Sequence, residues 1–64
     1  MTSPRRKRAE HVKQGTHSLG LIEWHEPTIG PYPYHVTIRT LQGAQYLGAC
    51  STLTDARRAV RDNT

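Results

Sequence analysis

The chain has 64 residues and a mass of 7.2 kDa, so it holds one domain at most, of a size that buries only about 60% of the surface its unfolded form exposes. Nine Lys and Arg against five Asp and Glu give a formal charge of +4 and a pI near 9.9, which favours anionic partners, nucleic acid first. Apolar residues make up 34%, Phe is absent, and no uninterrupted apolar run approaches the ~20 residues of a membrane-spanning helix, so no membrane partner is expected.

Residues 1–17, MTSPRRKRAEHVKQGTH, carry the run Arg5-Arg6-Lys7-Arg8 and almost nothing apolar beyond Ala9 and Val12. Like charges repel and there is little to pack, so we expect a disordered basic tail ahead of a folded unit at 18–64. A short helix over Arg8–Gln14, ended by Gly15, is the alternative for part of it. No apolar segment follows the positive run, so no secretory signal is expected. Residues 18–25, SLGLIEWH, read as a first strand from Leu19, Leu21, Ile22 and Trp24. Trp24 is expected to anchor the small core. Pro27, Gly30, Pro31 and Pro33 then make a loop, because proline removes ladder donors and extends the residue before it.

The clearest strand is 34–41, YHVTIRTL. Tyr34, Val36 and Ile38 alternate with His35, Thr37 and Arg39, which predicts one buried and one wet face. A turn at Gln42-Gly43 leads to a hairpin partner over Ala44–Cys50, where Gly48 suggests a bulge or a close contact. Beyond it, Thr52 or Thr54 can cap a helix. Asp55 sits at the positive end of its dipole, and Leu53, Ala56, Ala59 and Val60 form one apolar stripe. The predicted architecture is α+β, a three-stranded antiparallel sheet packed against one C-terminal helix in the order β-β-β-α.

The segment Tyr46-Leu47-Gly48-x-x-Ser51-Thr52-x-x-Asp55-Ala56-x-x-Ala59-x-x-Asp62, preceded by His35-Val36-Thr37-Ile38-Arg39, resembles the AP2/ERF DNA-binding domain. The same β-β-β-α order occurs in the arm-type DNA-binding domains of tyrosine-recombinase integrases. The resemblance covers 34–62, about half of the chain. It implies a sheet lying in the DNA major groove with Thr37, Arg39 and Tyr46 facing the bases. Val36, Ile38, Leu47, Ala56 and Ala59 would then lie between sheet and helix. The first strand differs from the Arg-rich one of that family, carrying Glu23 and Glu26.

Two sets of residues become candidates for DNA contact. Arg5, Arg6, Lys7 and Arg8 can follow phosphates or reach into a minor groove. His35, Thr37, Arg39 and Tyr46 offer donors, a cation and a ring on the wet face of the central hairpin; Arg can read guanine and a Thr methyl can touch thymine. Arg57, Arg58 and Arg61 are read as a solvated helix face. His11, His17, His25 and His35 are spaced by six, eight and ten residues, which matches no zinc pattern. No motif sets a nucleophile beside a base and no phosphate-binding glycine loop occurs, so neither an enzyme nor a cofactor is expected. The lone Cys50 cannot form an internal disulfide and suits a reducing, cytoplasmic setting.

The expected function is therefore a small module binding double-stranded DNA, an accessory or regulatory factor of a phage or mobile element. The alternative is a protein-interaction module that binds or inhibits a host factor. Its contacts would come from Glu23, Trp24, Glu26 and the proline-rich loop with Tyr32 and Tyr34. A monomer or a weak homodimer is expected, since edge strands on so small a sheet invite pairing.

Overall fold

A computed structural model describes residues 6–64; Arg5 of the basic run lies outside the described residues. Four strands, β1 (Arg6–Gln14), β2 (His17–Glu26), β3 (Tyr34–Thr40) and β4 (Gly43–Cys50), form an antiparallel sheet in chain order. One helix, α1 (Leu53–Asp62), follows them and packs on one face of the sheet.

The sheet has four strands, not the expected three, and residues 6–14 are its first strand rather than a disordered tail. The reason lies in pairing rather than in apolar content. β1 matches β2 over nine positions, from Arg6 opposite Glu26 to Gln14 opposite His17. Val12 is 5% exposed and joins the core, while Glu10 reaches Arg57 on α1. A strand with one buried valine thus gains its remaining support from a full ladder and from ion pairs.

The buried core is aliphatic: Val12, Ile22, Val36 and Ile38 from the sheet, Ala56 and Val60 from the helix. Trp24 and Tyr34 flank it, their ring centroids 5.4 Å apart, and are partly buried. The expected alternation of β3 is present, with Val36 and Ile38 inside, and the predicted stripe on α1 is the one that packs.

Each of two ladders holds one extra residue, and each extra residue is a leucine followed by glycine. Between β1 and β2, Val12 faces Gly20 but Lys13 faces Ser18, leaving Leu19 unmatched. Between β3 and β4, Val36 faces Gly48 but Thr37 faces Tyr46, leaving Leu47 unmatched. Such a bulge lets two successive side chains lean to one face. Leu19 and Leu47 both pack against the core as a result. Gly48 adopts φ 143°, open to glycine and costly to other residues.

Gly20 serves a different need. A Cβ there would lie 2.5 Å from the Thr37 carbonyl oxygen and 3.1 Å from Val60 Cγ1, so its bareness is what lets α1 settle on the sheet. The helix itself starts where the sequence predicts. Thr52 is the N-cap, accepting at Oγ1 from the Asp55 N–H at 3.1 Å.

Candidate nucleic-acid interface

The helix covers one face of the sheet and leaves the other open. Alternation and register assign the open face to Lys7, Ala9 and His11 of β1; Leu21 and Glu23 of β2; His35, Thr37 and Arg39 of β3; and Ala44 and Tyr46 of β4. All four residues nominated from the central hairpin are therefore brought together on one surface.

Their geometry is specific. His35 Nδ1 and Tyr46 OH lie 2.9 Å apart, and the two rings sit 6.1 Å centroid to centroid at 32°. Tyr46 remains 58% exposed, so one edge of its ring is fixed by His35 while the rest faces outward. Thr37 stands directly opposite Tyr46, and Arg39 opposite Ala44. Among the described residues Arg39 makes no ion pair, so its guanidinium keeps its donors for an external acceptor.

Arg6, Lys7 and Arg8 lie in a paired strand, not in the free tail expected of them. Along β1, Lys7 points to the open face, and Arg6 and Arg8 to the face that carries α1. Lys7 Nζ lies 2.9 Å from Glu23 Oε2, and Arg8 Nε 3.5 Å from Glu26 Oε1. Glu23 and Glu26, the two acids that set the first predicted strand apart, are thus the partners of the N-terminal cations. The run and the hairpin face are not one cluster.

A third ion pair ties the edge strand to the helix. Arg57 donates from Nε to Glu10 Oε2 at 2.6 Å and from Nη2 to Oε1 at 2.8 Å, a two-pronged contact. The hydrogen bond from Arg57 holds the Glu10 carboxyl below its ordinary value, against a smaller opposing effect of burial.

A feature not seen from the sequence lies beside Arg39. A hollow of about 230 Å³ opens on the sheet face, lined by the apolar Leu21, Ile38 and Ala44 and by the polar His11, Ser18, Thr37 and Arg39. Three strands contribute its walls besides β3, so no local motif announces it. Among the described residues no group of three His, Cys, Asp or Glu side chains is placed to hold a metal ion. No described helix is long and apolar enough to cross a membrane.

No protein-family model, curated protein or solved structure matches the chain.

Proposed function

We propose that this chain is a small, non-enzymatic module that binds double-stranded DNA through the open face of its sheet. The observation that carries the reading is the convergence of His35, Thr37, Arg39 and Tyr46 on one solvated surface, with a cation that makes no ion pair among the described residues and a ring positioned by His35. Four strands at the usual ~4.8 Å spacing extend about 14 Å from first backbone to last, more than a major groove roughly 12 Å wide accepts. A two-stranded ribbon fits, so the β3–β4 hairpin is the part that enters. β1 and β2 then stand beside the groove, near the phosphates. Resemblance to the AP2/ERF and integrase arm-type domains agrees with a sheet that reads the groove. A role as an accessory factor of a phage or mobile element fits the same reading.

Titration of labelled protein with a mixed-sequence duplex at two salt concentrations tests this. Amide shifts on Val36–Thr40 and Ala44–Leu47 that persist at the higher salt support groove entry, and Arg39→Ala should then flatten sequence preference. Shifts confined to β1 that vanish with salt would leave only a charge effect and end the groove reading.

One observation favours a second reading, a protein-binding surface. Ile29 and Tyr32 on the proline-rich loop are 64% and 62% exposed, a costly display on a domain with so little apolar material. Of the residues first assigned to that surface, Trp24 and Tyr34 pack on the core and Glu23 and Glu26 hold cations, which leaves the loop itself as the contact.

A further inference from the structure

We infer that the hollow beside Arg39 seats the 5-methyl group of a thymine in the major groove, next to a base pair contacted by Arg39. The inference rests on the duplex-binding reading and adds a chemical identity to one contact. The hollow's apolar lining comes from Leu21, Ile38 and Ala44, whose side chains offer neither donor nor acceptor. Polar side chains share that lining: those of His11, Ser18, Thr37 and Arg39. An apolar surface set among hydrogen-bonding side chains suits a ligand edge that is itself apolar with polar atoms beside it.

Among base-pair edges in the major groove, only thymine presents a methyl group, and it does so next to its O4 acceptor. Guanine presents two acceptors, O6 and N7, that match the paired donors of an arginine. Arg39 stands opposite Ala44 in the ladder, so the cation and the apolar seat are fixed at adjacent points of one hairpin. A hollow of about 230 Å³ is roomy enough for the methyl-bearing edge of a pyrimidine. Thr37, Ile38, Arg39 and Ala44 of its lining belong to the β3–β4 ribbon, so the hollow borders the part narrow enough to enter the groove.

The experiment starts by selecting preferred duplexes from a random pool with the full chain. Deoxyuridine then replaces each thymine of the selected duplex in turn, which removes one methyl and leaves every hydrogen-bonding group in place. Replacement at one thymine beside a G·C pair should weaken binding about fourfold, the effect of one buried methyl. The variant Ala44→Leu, which fills the hollow from an exposed edge position, should bind the thymine and uracil duplexes alike while keeping its salt dependence. If all thymine-to-uracil replacements leave affinity unchanged while Arg39→Ala still flattens preference, the methyl seat is wrong and groove reading stands. If the pool yields no preferred duplex, the groove reading fails and the seat with it.

Discussion

Gly20 shows how a single missing carbon can decide whether the helix fits. Its added Cβ would meet the Thr37 backbone oxygen at 2.5 Å, and a backbone atom inside a paired strand cannot swing away. Gly20→Ala should therefore destabilise the fold by about 1–3 kcal/mol, the usual cost of overpacking. Chemical denaturation checks it, with Gly15→Ala as a comparison where strain in the turn, not crowding, is the only penalty. At the same scale, Glu10 makes stability depend on acidity. Its folded pKa lies below the ordinary 4.5, so the pair with Arg57 stabilises the fold above that value and is lost as pH falls through the lowered one. Acid unfolding of Glu10→Gln should lack this part of the acid-side decline. Equal acid profiles for the two proteins would remove the pair from the stability of the sheet.

At the scale of elements, β1 is the strand that sequence patterning could not reveal. Strands β3 and β4 and the helix are legible because each carries its own signal: strict alternation at Tyr34–Arg39, a glycine at the bulge, a threonine cap and an apolar stripe. In β1 the apolar pattern has shrunk to Ala9 and Val12, and what holds it is located elsewhere in the chain, on β2 and on Arg57. No reading of residues 6–14 alone could supply those partners. The site divides the same way. His35, Thr37, Arg39 and Tyr46 follow from alternation within one hairpin, whereas the hollow joins His11, Leu21 and Ala44 from three other strands. The test of β1 as a structural strand is Val12→Ala, which should cost about 2 kcal/mol through two lost methyl groups in a buried site. A free tail would show no change in its denaturation midpoint.

Across the whole molecule, the distribution of charge matters more than its sum. The net value is +4, yet three of the five acids, Glu10, Glu23 and Glu26, each hold a cation of their own. Two of those cations, Lys7 and Arg8, belong to the run that the sequence offered as the phosphate-binding tail. On duplex DNA each phosphate contact contributes about 0.9 to the slope of log K against log salt. Four free cations would thus contribute about 3.6, and replacing Arg5–Arg8 together would remove all of it. With Lys7 and Arg8 held by glutamates, the same replacement should remove only about half, near 1.8. The converse experiment is more telling, because it adds binding by removing only internal partners. Glu23→Gln with Glu26→Gln releases Lys7 and Arg8 and should steepen the slope by about 1–2 while tightening binding to every duplex alike. Fluorescence anisotropy over a salt series measures both quantities. An unchanged slope in that double variant would mean that the edge strand never meets the phosphates, and the contact would then lie with the β3–β4 hairpin alone.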